Sequence, residues 1–337
     1  MRQPQVARLL TLLLAAVLLA PLLRTGWSLL LTGAFLVEFL TQGQRPLLSR
    51  LTSPPVRSAL AVPGVAADRH APTGGWASPR PLVLVHGATP EGKDDPRARQ
   101  AAELLARLGF EVALPTIEGL ARGRLRPHDV EPVVATIAAR PGPTVVVAVS
   151  VGAGPALLAA ADPRVRLRVT DVLTLGGYAR ADELIRFYLT GEYAWGDVRG
   201  RTVHEPALVR AFLEANADLL DESARRLLRA EAGPPLTAAL AGLSPDLRRL
   251  LDALSPERVA ADIRARLILV HGRADPAVPF TETLRLAAAR PARTRVVLVG
   301  LVQHVEGLPL APGRRGVSEL LSLWMALYGL VAADKGG

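Results

Sequence analysis

Cysteine is absent from the 337 residues, which excludes a disulfide framework, a thiolate nucleophile and a cysteine metal site. Lysine is almost absent: Lys93 and Lys335 are the only two, so the net charge of +9 rests on arginine. The arginines are scattered along the chain and no basic stripe is interleaved with stacking aromatics. Nucleic acid is therefore not expected as a partner. The six histidines stand far apart, with no H-x-x-H or H-E-x-x-H spacing, so no metal is expected. No cofactor is expected either.

Half of the residues are apolar, enough to bury a full core in one large or two medium domains. The apolar content is concentrated first at the N-terminus. Leu9 to Leu23 is 15 residues without a charge, preceded by Arg2 and Arg8; after Arg24 a second apolar stretch runs from Trp27 to Leu40, with Glu38 its only charge. Three readings compete: a cleaved signal that would leave a secreted protein, one anchor helix followed by an interfacial helix, and a short helical hairpin with Arg24 at its tip. Retention in the membrane is the favoured expectation, with either side open to the main domain.

Residues 1–40 are thus read as anchor or signal, 41–52 as a connector and 53–337 as the globular domain. Val56 to Pro72, split by Pro63-Gly64, has the pattern of an edge hairpin. From Pro81 strands and helices alternate, the pattern of a mostly parallel, doubly wound α/β sheet with helices on both faces. Strands are expected at Pro81 to His86, Glu111 to Pro115, Val145 to Val149, within Val165 to Leu175, at Leu267 to His271 and at Arg295 to Leu301. Helices are expected at Asp95 to Leu108, Asp129 to Ala139, Gly152 to Ala161, Thr281 to Ala289 and Val317 to Val331.

The alternation stops over 176–255. That stretch reads as several short helices, inserted after a strand's carboxyl end where it would cap the edge at which ligands bind. Five of the chain's 14 aromatics fall between Tyr178 and Trp195. Tyr178, Tyr188 and Trp195 are candidates to line a substrate, the other reading being that they form the insertion's own core.

The chain is organised around Pro143 to Ala161. An apolar strand ends in Ser150 and turns at once into a small-residue helix, which forces the serine into a strained conformation with its hydroxyl above the sheet. The sequence is Ala148-Val149-Ser150-Val151-Gly152, with alanine at the first small position of the G-x-S-x-G pattern. A serine hydroxyl needs a histidine to take its proton and a carboxylate to hold that histidine. In the expected order, serine then acid then histidine, each at a strand end, Asp275 and His304 follow Ser150. Glu282 and Glu306 are reserve acids. His86 and His271 each precede a glycine at a strand end, where backbone hydrogen bonding is the more ordinary role. Two backbone N–H groups would hold an oxyanion, from Val151 and from Ala88, with Thr89 the next choice.

From residue 53 to Val331 the chain resembles the α/β-hydrolase superfamily, with HGATPEG as oxyanion loop, AVSVG as nucleophile elbow, HGRADPAVP as acid turn and VQHVEG as histidine loop. Within it the chain is similar to the dienelactone-hydrolase-like and cap-bearing esterase groups, although it has no cysteine nucleophile. The resemblance implies a serine hydrolase acting on a small-molecule acyl substrate, a carboxylic ester first. Two other readings stand beside it. One is a catalytically inactive hydrolase fold serving as a binding module at the membrane. The other is a nucleotide hydrolase, because Gly87 to Lys93 matches all but the last fixed position of a phosphate-binding loop, where Asp94 replaces the hydroxyl.

Overall fold

The computed structural model describes residues 3–74, 79–204, 206–217, 244–300 and 314–332. An eight-stranded sheet lies at its centre. In chain order the strands are β1 (Val56–Val62), β2 (Val65–Ala71), β3 (Arg80–Val85), β4 (Phe110–Pro115), β5 (Thr144–Val149), β6 (Val169–Leu175), β9 (Arg266–Gly272) and β10 (Thr294–Val299). Their order across the sheet is β1-β2-β4-β3-β5-β6-β9-β10. The β1–β2 hairpin pairs antiparallel and joins β4 antiparallel, while every other neighbouring pair is parallel.

Residue alternation along the strands divides the core in two. Val83, Val85, Ala113, Val146, Ala148, Val172, Leu267 and Leu269 face one way. Their neighbours Leu82, Leu84, Val112, Leu114, Val145, Val147, Ile268 and Val270 face the other. Both sets are apolar because each face is covered by helices, which is why the strands read as continuous apolar runs. The first face is covered by α5 (Val130–Ala138), α6 (Ala153–Ala161) and α10 (Thr281–Ala289); the second by α1 (Gln3–Leu40), α2 (Leu47–Leu51), α3 (Pro96–Arg107) and α11 (Arg314–Ala332). A short helix α4 (Glu118–Ala121) follows β4.

The hairpin with Arg24 at its tip is not formed. The chain stays helical from Gln3 to Leu40, through Pro21, Arg24 and Gly26. Its second half packs on the domain. Leu31, Ala34, Phe35, Leu36 and Leu40 are buried in the core of the second face, and the indole N–H of Trp324 on α11 donates to the Thr32 hydroxyl at 2.9 Å and the Leu29 carbonyl at 3.1 Å. Glu38, the one charge of that stretch, is buried and accepts from the Ser49 N–H at 2.9 Å and hydroxyl at 2.5 Å, which fixes the corner between α1 and α2. Over Leu22–Leu40 this helix is long and apolar enough to cross a membrane, with 39% of that window buried in the protein.

The insertion is not wholly helical. After α7 (Ala181–Thr190) comes a two-stranded antiparallel hairpin, β7 (Glu192–Trp195) and β8 (Val198–Arg201), then α8 (Pro206–Ala215) and α9 (Pro245–Ala253). Gly196 at the turn has φ +54°, and this Gly-Asp pair between Trp195 and Val198 is a hairpin signal. The insertion sits on the loops at the carboxyl ends of the strands. Tyr193 packs edge-on against Phe280, ring centres 5.8 Å apart, just before α10, and Asn216 reaches the loop after α4, accepting from the Leu125 N–H at 3.1 Å and donating to the Gly123 carbonyl at 3.0 Å.

Candidate active site

Ser150 stands where β5 ends, and its φ is +54°. A non-glycine residue in the left-handed region costs on the order of 1–3 kcal/mol, so the fold must hold it there. Close packing around the turn does so. A side chain at Gly152 would overlap the His86 carbonyl oxygen, and one at Gly154 would overlap the Tyr178 hydroxyl. Ala148, in place of the usual first glycine, is fully buried.

The loop after β3 runs against the same turn. A Cβ built on Gly87 would lie 3.3 Å from Ser150 Cβ and 3.9 Å from its Oγ, so the residue before Ala88 passes directly beside the serine. Two side chains pin this loop. His86 Nδ1 donates to the Gly87 carbonyl at 2.6 Å and its Nε2 accepts from the Ile117 N–H at 3.0 Å. Burial pushes the imidazole below its ordinary pKa, in keeping with the neutral tautomer that these two bonds require. Thr89 is buried and its hydroxyl lies 2.7 Å from both Glu91 Oε2 and Asp95 Oδ2, while Asp95 Oδ1 caps α3 by accepting from the N–H groups of Arg97 and Ala98, both at 2.9 Å. Ala88 itself is exposed and Val151 is buried.

Asp275 follows β9, which lies two strands from β5, or about 10 Å at the usual spacing. It is buried, and its Oδ1 accepts from the N–H groups of Ala277 at 2.8 Å and Val278 at 3.0 Å. Those two bonds fix the carboxylate at the sheet edge. His271 does not serve it: Nε2 donates to the Val278 carbonyl at 2.8 Å, Nδ1 lies 2.7 Å from the Thr283 hydroxyl, and Asp275 Oδ2 is 3.6 Å away, beyond hydrogen-bond reach. His304 and Glu306 lie outside the described residues. Glu282, the other reserve acid, is occupied elsewhere: buried, it accepts from the N–H groups of Ala179 at 3.0 Å and Arg180 at 2.8 Å and from Arg285 Nε at 3.2 Å. Burial raises its pKa.

The three aromatics occupy different places. Tyr178 is a correction: it belongs to the core, fully buried against α6, with its hydroxyl donating to the Leu254 carbonyl at 3.1 Å, so it presents no surface to a substrate. Tyr188 is buried and stacked on His204, ring centres 5.5 Å apart. Burial, and then the charge of Asp275, push its phenol up to about 12, which places it beside the acid turn. Trp195 is half-buried under the guanidinium of Arg285, 4.5 Å from its ring centre. Two contributors escaped the sequence reading. His204 carried no signal in its surroundings. Asn216 is the only asparagine of the chain, a signal that was there to use.

The phosphate-loop reading loses its central residue. Lys93 Nζ is engaged by Asp94 at 2.9 Å and Asp68 at 3.4 Å, and Asp94 also pairs with Arg57 at 2.5 Å.

No protein-family model matches the chain, and no curated protein sequence matches it. Solved structures do match. A puromycin-hydrolyzing peptidase of Mycobacterium tuberculosis superposes with a TM-score of 0.53 at 19% identity, over 83% of this chain and 40% of the peptidase. The chain has the α/β-hydrolase fold. A 2,6-dihydroxy-pseudo-oxynicotine hydrolase is similar as well, with a TM-score of 0.51 at 18% identity over 89% of this α/β-hydrolase-fold chain and 78% of that structure. This chain therefore spans about two fifths of the first match and most of the second.

Proposed function

We propose that this protein is a serine hydrolase that cleaves a carboxylic ester, or a related acyl bond, through an acyl-enzyme. The observation that carries the reading is the positive φ of Ser150 at a strand-to-helix turn flanked by Gly87 and Gly152, since a strained serine at that place is what an exposed nucleophile requires. The hydrolase fold, and the hydrolases named among its structural matches, support it.

In the proposed reaction His304 takes the proton of Ser150 as Oγ attacks the substrate carbonyl. Asp275, already held by two N–H groups, orients the imidazole and stabilises it when charged. The N–H groups of Val151 and Ala88 carry the oxyanion. The tetrahedral species collapses as the imidazolium passes its proton to the leaving alcohol, and water repeats the sequence on the acyl-serine. Trp195, half-buried in the insertion above this edge, contributes to its substrate surface, and Tyr188 packs behind that surface among the buried residues of the insertion.

The N-terminal part of α1 is proposed as a membrane anchor. Residues 3–27 precede Ser28, where burial against the domain begins, and would extend about 38 Å as a helix, more than the ~30 Å hydrocarbon thickness of a bilayer.

Mass spectrometry after exposure of the full-length protein to a fluorophosphonate tests the chemistry. Labelling at Ser150 that disappears in His304→Ala is the expected result, and absence of labelling in folded protein would overturn it. Recovery of the protein with vesicles on a flotation gradient tests the anchor.

A further inference from the structure

The second face of the sheet is not filled. Between α1, α11 and the carboxyl-terminal halves of the central strands lies a cavity of about 880 Å³, counting its open mouth. Phe35 and Phe39 of α1, Leu323 of α11, Val149 of β5 and Leu173 and Leu175 of β6 are among its walls. Leu173, Leu175 and Val149 are only partly buried, although β5 and β6 lie in the middle of the sheet. Central strands covered by helices ordinarily bury such side chains completely.

The lining decides what could enter. It is apolar almost throughout, so a charged or strongly hydrogen-bonding ligand would lose its water without compensation. A hydrocarbon chain has no hydrogen bonds to lose and would supply the dispersion contacts that the unfilled wall lacks. The surroundings decide where the chain would come from. Leu22, Leu23, Trp27 and Leu30 of α1 are exposed, and so are Val317, Leu321 and Met325 of α11, which recur every four residues along one side of that helix. The two helices that wall the cavity thus carry bare apolar side chains on their outer surfaces.

We infer that this cavity receives one hydrocarbon chain of a bilayer lipid, entering between α1 and α11 and ending against β5 and β6. The inference rests on α1 lying in a membrane. It is independent of the chemistry at Ser150, although Val149 in the cavity wall directly precedes that residue.

The test uses the full-length Ser150→Ala protein in phosphatidylcholine vesicles that contain a phosphatidylcholine with a diazirine at the end of one acyl chain. After flotation and illumination, crosslinked peptides are mapped by mass spectrometry. The expected result is modification within Val169–Leu175 of β6, a strand no bilayer chain can touch from outside the domain, together with modification of the outer surface of α1. Ala326→Phe, or Leu323→Phe if the first variant is unstable by thermal melt, fills the cavity and should abolish the β6 crosslink while leaving that on α1. Crosslinks confined to α1 and the outer side of α11 in floated protein would overturn the inference. Protein that does not float would overturn the anchor, and with it the bilayer as the source of the chain.

Discussion

The two faces of the sheet are built to opposite standards of fit. On the face that bears α6 the helix is made of small residues, and side chains at Gly152 and Gly154 would run into a carbonyl oxygen and a tyrosine hydroxyl. On the face under α1 the covering helices carry large apolar side chains and still leave an open cavity. The difference shows where tolerance has been given up. The strained φ of Ser150 persists only if its surroundings over-determine it, and close backbone approach is what does so. Among the described residues, the strands beneath α1 hold no non-glycine residue at positive φ, and imperfect filling costs only the contacts it forgoes.

The largest effect belongs to the tight face. Ser150→Ala should lower turnover by at least roughly 10⁴-fold, as removal of a serine nucleophile does elsewhere, with an unchanged melting temperature; ester hydrolysis and calorimetry on the same sample check both halves. Gly152→Val should cost about 4 kcal/mol, because the backbone of His86 would have to move, and fluorophosphonate labelling should fall with it as the Gly87 loop is displaced. A Gly152→Val protein as stable as the parent in urea would break the comparison.

Acidification probes the other face. His70 on β2 is fully buried with neither ring nitrogen hydrogen-bonded, on the side that carries Arg99 of α3. Burial, aided by Arg57, pushes its pKa down to about 4. The unfolded chain therefore takes up the proton first, near pH 6.5, so stability is flat above that value and falls as pH drops from 6.5 towards 4, by up to roughly 3 kcal/mol. Urea midpoints at pH 7.5 and 5 should differ in the parent and differ less in His70→Leu, where His86, whose pKa burial also lowers, still contributes.

The smallest effects are the sharpest comparison, since they apply one change to both faces. Ala156 on α6 and Ala326 on α11 are both buried. Ala156→Leu should destabilise by about 1–3 kcal/mol through overpacking, whereas Ala326→Leu, which points into the cavity, should stabilise by about 0.5–2 kcal/mol. Equal shifts in the two melting temperatures would remove the distinction drawn between the faces.

The parts of this fold that could be read in advance are those where one local signal has one outcome. Val145 to Val149 has no polar alternative and became a central strand within one residue of the expected bounds; Thr281–Ala289 matches its expected helix at both ends. The serine turn was legible for a related reason, because a strand that meets a helix at Ser-Val-Gly has few ways to turn. Where the outcome depended on distant partners the sequence was silent or misleading. Arg24 looked like the tip of a hairpin, but Thr32 and Leu29 have a partner in Trp324 almost three hundred residues away, and the helix runs on. Tyr178 looked like a cap aromatic because it opens the insertion, yet Gly154, whose own role is to have no side chain, leaves the space its ring occupies. The Gly-Asp turn between Trp195 and Val198 was readable and was outweighed by the helical character on either side. Glu282 was weighed for its charge, when its position after β9 lets it tie down the start of the insertion through Ala179 and Arg180.

The unbroken course of α1 also has a mechanical side. A helix of 38 residues is about 57 Å long, and its last third is clamped at Trp324 and at the Glu38–Ser49 corner. Between the clamp and the N-terminal part the weak rung is at Pro21, whose missing N–H removes one bond of the ladder, so bending there is concentrated at that residue. The segment after Pro21 moves with the sheet to which it is clamped, and the rim that carries Ser150 keeps one angle to that segment.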